Sequence, residues 1–183
     1  MKMKHKMITL AAVFLASVCS FGFGGRAEAA GGKILVTYFS YQGHTANVAR
    51  EIAAQTGGDL FEIKPVTPYP GYDECLDVAK AEKNNNARPA FEGNVENMAD
   101  YDVVFVGYPI WWYDAPMIVL TFLESNDLSG KTVIPFATSG GSPLSDSLDS
   151  VTAAASGATI GDGLLVGDES EIAPWLSRIG YAK

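Results

Sequence analysis

Histidine and cysteine are scarce in this chain: its 183 residues contain two of each. Two cysteines cannot build the disulfide framework of a small secreted domain, and two histidines leave little scope for a zinc site. Basic residues are also few, with 13 Lys and Arg against 21 Asp and Glu and a net charge of −8. A surface this acidic argues against nucleic acid or anionic lipid as a partner. The composition, 48% hydrophobic and 19% charged, is that of a globular domain.

The first thirty residues have the three-part pattern of a secretory signal peptide. Three lysines occur among the first six residues, residues 7–23 carry no charge, and residues 27–30 are mostly small. We therefore expect a Sec-type signal peptide over residues 1–29, cleaved after Ala29. The protein would then be exported to the periplasm or the extracellular space, with no membrane segment left after cleavage.

Two other interpretations of this segment are weaker. A retained membrane anchor is disfavoured because the apolar run is short and diluted by small residues. A lipoprotein attached through Cys19 is disfavoured because Val18 stands where a small residue is preferred. Cleavage would leave a net charge of −11, with Cys75 as the one cysteine and His44 as the one histidine.

Three continuous apolar runs predict strands that are covered on both faces, as in a parallel sheet. They span residues 34–39, 103–106 and 132–136. Weaker strand patterns occur at 60–63 and 163–166. No internal repeat or low-complexity linker separates these runs, so the chain after the signal peptide is expected to form one domain.

Helical patterns lie between the predicted strands, with apolar residues spaced three, four and seven apart. Asp168 with Glu171 forms a capping pair, and Ser142 followed by Pro143 predicts the start of another helix. Residues 64–98 are expected to be irregular, with one short helix. The alternation predicts an α/β fold, a three-layer doubly wound sheet of five parallel strands. The apolar residues that define the helices are Val48, Ile52, Leu76, Ala79, Ile118, Phe122, Leu123, Leu144, Leu148, Val151, Ile172, Trp175, Leu176 and Ile179.

In such a sheet, ligands bind at the carboxyl ends of the strands, which makes the loop after the first strand a candidate anion site. This loop has hydroxyls at Ser40 and Thr45, an amide at Gln42 and a flexible backbone at Gly43. It leads into a helix, whose first N–H groups attract a dianion. The loop therefore predicts a phosphate-binding turn, with an ordinary capped strand-to-helix turn as the alternative.

Two further loops carry groups suited to a flat ring. The segment after the third predicted strand has aromatic residues at 108 and 111–113, and four aromatics in one loop cannot all point into the core. The segment at 137–142 is small and rich in hydroxyls and amides, and it suits the polar edge of a ring. Core packing and a simple turn, respectively, are the alternatives for these two loops.

Other chemistries of doubly wound folds lack their key residue here. The first loop has no nucleophilic cysteine, the third strand does not end in aspartate, and Ala137 replaces the first glycine of a nucleophile elbow. No glycine-rich dinucleotide fingerprint follows a strand. We therefore assign no catalytic residue and no metal ligand.

Three segments together resemble the flavodoxins. They are the Ser-x-x-Gly-x-Thr loop from Ser40, the Gly-Tyr-Pro-Ile-Trp-Trp segment from Gly107, and the Phe-x-Thr-x-Gly-Gly-Ser segment from Phe136. The resemblance extends over residues 33–181. It implies a flavodoxin-like sheet of order 2-1-3-4-5 and noncovalent FMN. The residues that it places around the FMN phosphate are Ser40, Gln42, Gly43, His44, Thr45 and Ala46. Those that it places around the ring are Pro109, Ile110, Trp111, Trp112, Thr138, Ser139, Gly140, Gly141 and Ser142.

The chain departs from the family pattern at two positions. His44 stands where many flavodoxins have Asn, and a histidine beside a phosphate would make FMN affinity depend on pH. Tyr113 stands where relatives with the paired tryptophans commonly have Gly.

The resemblance implies a redox role, and three functions fit it. The leading interpretation is an FMN-binding electron-transfer protein whose redox partner has a basic docking face. The first alternative is an NAD(P)H-dependent quinone or flavin reductase of the same fold, in which an oligomer would complete the substrate pocket. The second is a secreted flavodoxin-like module whose flavin site is vestigial.

Overall fold

The computed structural model describes residues 32–183. The predicted signal peptide lies outside this part of the chain. Between residues 32 and 183, no helix combines the length and the hydropathy needed to cross a bilayer.

Eight strands and five helices follow one another along the described chain. Two single 3₁₀ turns, Met98–Asp100 and Glu169–Glu171, lie between them. In chain order the elements are β1 Lys33–Tyr38, α1 His44–Thr56, β2 Asp59–Glu62, β3 Lys64–Pro65, α2 Tyr72–Asn84, β4 Phe91–Glu92, β5 Tyr101–Pro109, α3 Met117–Ser125, β6 Thr132–Thr138, α4 Ser145–Ala154, β7 Thr159–Ile160, β8 Leu164–Leu165 and α5 Ile172–Ile179.

The main sheet is parallel, and its strand order is β2-β1-β5-β6, with β7 and β8 both beside β6. Taken together, β7 and β8 occupy the place of a single fifth strand. The predicted order 2-1-3-4-5 is thereby confirmed, and the α/β fold is flavodoxin-like.

The fifth strand is interrupted, which the sequence did not predict. One strand was expected at 163–166, whereas the structure has two short strands on either side of residues 161–163. Gly161 N donates to Val133 O at 2.8 Å, and the next bond of a parallel ladder requires an N–H at residue 135. That residue is Pro135, which has none, so the ladder stops there and resumes at β8.

Helices cover both faces of the sheet and bury two apolar clusters. On one face, α1 and α5 pack over β1 and β5, with Ile52, Phe105 and Trp175 fully buried. On the other face, α3 and α4 enclose a second cluster that includes Val104 and Ile118. The continuous apolar strands are thus covered on both sides, and the three-layer prediction is confirmed.

The segment between β2 and β5 is more ordered than the sequence suggested. It contains the 13-residue helix α2, and β3 pairs with β4 in a small antiparallel sheet. Arg88 ties the segment to α3 through two bonds to Glu124, 2.7 and 2.8 Å long. Residues 64–98 are therefore anchored to the domain and can contribute a wall to a site.

Of the two predicted helix starts, one is confirmed and the other is wrong. Asp168 and Glu171 form a capping box that opens the 3₁₀ turn before α5. The helix expected at Ser142–Pro143 begins instead at Ser145. Ser142 N donates to Ser139 Oγ at 2.7 Å, so this serine belongs to a tight loop and not to a helix cap.

Candidate functional site

The three predicted loops converge on one cleft of about 1220 Å³ at the carboxyl edge of the sheet. The loops after β5 and β6 lie side by side, because Ile110 N donates to Thr138 O at 2.9 Å. The predicted site residues that line this cleft are Gln42, His44, Pro109, Ile110, Trp111, Trp112, Thr138, Ser139, Gly140, Gly141 and Ser142.

The first loop forms a hydroxyl-lined corner beside the cleft. Ser40 and Thr45 line a small adjoining pocket together with Gln42 and His44. The Thr45 and Thr138 hydroxyl oxygens are 2.9 Å apart, and Ser40 Oγ accepts a bond from Gly43 N at 3.1 Å. The candidate phosphate corner is therefore joined directly to the loop that carries the candidate ring site.

Helix α1 begins in this corner without a side-chain cap. Its N-cap residue, Gly43, has φ +90°, a left-handed value that glycine accommodates with little steric cost. The first N–H groups of the helix have no partner within the helix, and the helix dipole adds positive potential there. The Ala46 side chain is buried in the core, so only its backbone is available to the corner.

Tyr108 belongs to the core and not to the aromatic loop. It is fully buried in β5, and its hydroxyl lies 3.0 Å from Ser147 Oγ. Burial raises the pKa of this phenol to about 12. Of the four aromatics grouped in the sequence, one therefore stabilises the domain, and the other three reach the cleft.

The two neighbouring tryptophans have different environments. Trp111 is half-buried and packs edge-on against Phe39, Tyr41 and Tyr69, with ring centroids 5.2 to 5.7 Å apart. Trp112 remains 37% exposed at the cleft. Trp111 thus fixes the base of the loop, while Trp112 presents more of its indole to the cleft.

Residues 111–114 form a two-residue hairpin turn. Trp111 N donates to Asp114 O at 2.9 Å, and Asp114 N donates to Trp111 O at 3.0 Å. Both central residues are left-handed, Trp112 with φ 51° and Tyr113 with φ 63°. This is the backbone pattern of a type I′ turn, which favours Asn-Gly rather than two bulky aromatics.

Helix α2 forms a wall of the cleft that sequence reasoning missed. Its residues Tyr72, Cys75, Leu76 and Ala79 line the cleft. The sequence prediction looked for ligand-binding residues in loops that follow strands of the main sheet. Because α2 lies within residues 64–98 and follows no such strand, that rule gave no signal for it. The same rule could have found residues 166–169, which follow β8 and also line the cleft.

A partly buried polar pair lies behind the aromatic loop. Tyr69 donates to Glu82 Oε2 at 2.9 Å. Burial raises the pKa of both groups and also that of the Cys75 thiol. Between residues 32 and 183, no three His, Cys, Asp or Glu side chains are grouped so as to hold a metal ion.

Comparisons with known proteins agree with this geometry. The sequence profile of the flavodoxin family matches residues 33–179. A Bacteroides eggerthii DSM 20697 protein of known structure is 44% identical, with a TM-score of 0.73 over 80% of this chain and 97% of that one. A Bacteroides uniformis ATCC 8492 protein is 38% identical, with a TM-score of 0.75 over 80% and 99% of the two chains.

A more distant relative has been crystallised with a ligand. The Lactobacillus acidophilus NCFM flavoprotein in complex with FMN is 22% identical, with a TM-score of 0.68 over 79% of this chain and 98% of that one. A comparison with curated protein sequences found no match. The family profile spans nearly the whole described chain, and the chain therefore belongs to the flavodoxin family.

Proposed function

We propose that this protein binds FMN noncovalently in the cleft and carries electrons for a redox partner. The main support for this proposal is that a candidate phosphate site and a candidate ring site lie next to each other. The uncapped start of α1 suits a dianion, and the adjoining slot between residues 109–112 and 138–142 suits a flat ring. The FMN complex of the Lactobacillus acidophilus relative supports the same cofactor here.

The chemistry of the cleft residues fits FMN at both ends. Hydroxyls of Ser40 and Thr45 and the first N–H groups of α1 are donors for a phosphate. A Cβ added at Gly140 or Gly141 would meet no atom within 4 Å, so the 138–142 loop leaves open space beside its backbone. Backbone groups there can reach the polar edge of a ring.

In this proposal the protein binds and orients the cofactor. FMN supplies the capacity to take up and release electrons when bound. The first loop fixes the phosphate, the turn at 111–114 shields one part of the ring, and the 138–142 loop bonds its edge. The partner is expected to present a basic docking face, because acidic residues outnumber basic ones in this chain.

One observation favours a second candidate, an NAD(P)H-dependent quinone or flavin reductase. The cleft continues past the two ring loops to the apolar side chains of Leu76 and Ala79 on α2. That extension offers a surface for a second planar molecule. Reductive titration separates the two roles: a carrier takes up electrons in two one-electron steps, whereas a single two-electron step with NAD(P)H and quinone turnover favours the reductase.

Calorimetry with FMN and riboflavin tests the binding proposal directly, since the two ligands differ only in the phosphate. We expect FMN to bind at least about 100-fold more tightly, because hydrogen bonds to a charged group contribute about 1.5–3 kcal/mol each. Thr45→Val should weaken FMN binding about tenfold and riboflavin binding less than about twofold. Thr152→Val is the matched control, since Thr152 is exposed on α4.

Two outcomes of this experiment would contradict the proposal. Equal affinities for FMN and riboflavin would mean that no phosphate site exists at the start of α1. No heat with either ligand would favour the module with a vestigial flavin site.

We also propose that the protein is exported, with residues 1–29 removed as a signal peptide. The support is the pattern of charge, apolar residues and small residues in that segment. The intact mass of the protein isolated from its natural host tests it. A mass that still includes residues 1–29 would contradict cleavage.

A further inference from the structure

The turn at residues 112–113 stores backbone strain at the rim of the cleft. Trp112 has φ 51° and Tyr113 has φ 63°, and both carry a Cβ that crowds the backbone in this region. The two bonds between Trp111 and Asp114 close the hairpin, but they do not relieve the crowding at the two central residues. Strained residues persist where the surrounding structure holds them in place.

Helix α2 supplies contacts that hold this turn from outside. Lys83 Nζ donates to the Trp112 carbonyl at 2.6 Å, lies 3.5 Å from the Tyr113 carbonyl and is 3.5 Å from Asp114 Oδ2. A single ammonium group thus reaches three consecutive residues of the turn. Such charge-assisted bonds are stronger than bonds between neutral groups.

Two more contacts from α2 hold the Trp112 side chain. Trp112 Nε1 donates to Leu76 O at 2.8 Å, and the Lys80 ammonium lies 4.8 Å from the centre of its ring. Leu76 lines the cleft, but Lys83 does not. Lys83 therefore makes no direct contact with the cleft, and its contacts reach the site through the turn that it holds.

We propose that Lys83 is a positioning residue, which keeps the Trp112–Tyr113 turn in its left-handed conformation and so keeps Trp112 at the cleft. The effect of Lys83 on a flavin rests on the proposed FMN binding, whereas its effect on the turn does not. The proposal assigns α2 a role in assembling the site.

To test this role, Lys83→Met is made both in the natural protein and in a Tyr113→Gly variant. Lys83→Met keeps most of the side-chain length and removes the ammonium. We expect it to lower the Tm of the FMN-free protein by about 3 °C. In a Tyr113→Gly background the loss should be larger by about 2–4 °C, because glycine adopts φ 63° with little strain. The natural turn can relax and release its strain when the ammonium is removed, which offsets part of the loss, whereas the glycine turn has no strain to release. Lys64→Met is the matched charge control, since this exposed lysine on β3 is remote from the cleft and should lower Tm equally in both backgrounds.

The natural protein, Lys83→Met, Tyr113→Gly and the double variant are then titrated with FMN. We expect Lys83→Met to raise the Kd for FMN about tenfold in the natural background and less than about threefold beside Tyr113→Gly. A purely structural contribution of the Lys83–Asp114 ion pair would not be rescued in this way, because glycine at 113 does not restore that pair.

The two measurements separate failure of this proposal from failure of the proposed function. Equal losses of Tm in both backgrounds would overturn the role of Lys83, whether or not FMN binds. Equal increases of Kd in both backgrounds would overturn the link from the turn to the cleft, while FMN binding itself would stand. If the natural protein binds no FMN, the proposed function fails, and the Tm comparison still decides whether Lys83 holds the turn.

Discussion

Replacing Tyr113 gives a direct measure of the strain in the hairpin turn. Its backbone is left-handed, with φ 63°, and its side chain is 66% exposed. Tyr113→Gly and Tyr113→Ala both remove the exposed ring, so the difference between them reports the cost of a Cβ in this conformation. That cost is about 1–2 kcal/mol, and the greater freedom of glycine in the unfolded chain offsets about 0.5–1 kcal/mol of it.

We therefore expect the glycine variant to be more stable than the alanine variant by about 0.5–1 kcal/mol. Urea unfolding of the FMN-free proteins, followed by far-ultraviolet circular dichroism, measures the difference. The comparison requires equal m-values, so that a shift in midpoint reports stability alone.

Val78 provides a control position, at which we expect the stability difference between the glycine and alanine variants to be reversed. It lies inside α2 in ordinary helical conformation and is 37% exposed. There the glycine variant should be less stable than the alanine variant by about 1 kcal/mol. A glycine at 113 that is no more stable than alanine would refute the strain assigned to this turn and would remove the reason for a support from Lys83.

Three further predictions concern polar groups that are wholly or partly buried. Thr37 Oγ1 lies in β1 without a hydrogen-bond partner among residues 32–183. Thr37→Val should therefore raise the free energy of unfolding by about 1 kcal/mol, and a loss of stability would contradict this. Tyr108→Phe deletes the bond to Ser147 and should lower the free energy of unfolding by about 1 kcal/mol in urea, whereas no change would mean that the bond is not formed. Burial raises the pKa of Glu82 above its ordinary 4.5, so stability that is present below that pH is lost as the pH rises through the folded-state pKa. The Tm of Glu82→Gln relative to the natural protein should therefore increase from pH 4 to pH 7, and a constant difference would contradict the shift.

Local sequence patterns predicted most of the fold. The apolar runs at 34–39, 103–106 and 132–136 appear as the three central strands, because burial on both faces requires uninterrupted apolar residues. The helix periodicities between them fixed the alternation of elements. The split of the fifth strand was missed, since it depends on Pro135 lying directly beside that strand.

The sequence predicted the parts of the candidate site that lie in loops after strands. It missed the wall formed by α2, whose position depends on how the helix packs. Loops that follow parallel strands meet at one edge whatever their residues, so 40–47, 109–112 and 138–142 could be placed together from sequence. The helix start at Ser142 was wrong because residues 139–142 form a tight loop, in which Ser142 N donates to Ser139 Oγ, and α4 begins only at Ser145. Sequence spacing does not reveal that the loop extends this far.

By itself, the sequence determined the order of the elements, the burial of the sheet on both faces and the edge of the sheet at which the candidate loops meet, because these follow from short periodic patterns along the chain. Only the tertiary structure decided that Tyr108 is a core residue and that Trp111 packs inward while Trp112 remains exposed. Only the tertiary structure brought Lys83, 29 residues away in sequence, to the Trp112 carbonyl. Such contacts depend on how α2 lies across the domain, and no local period encodes that placement.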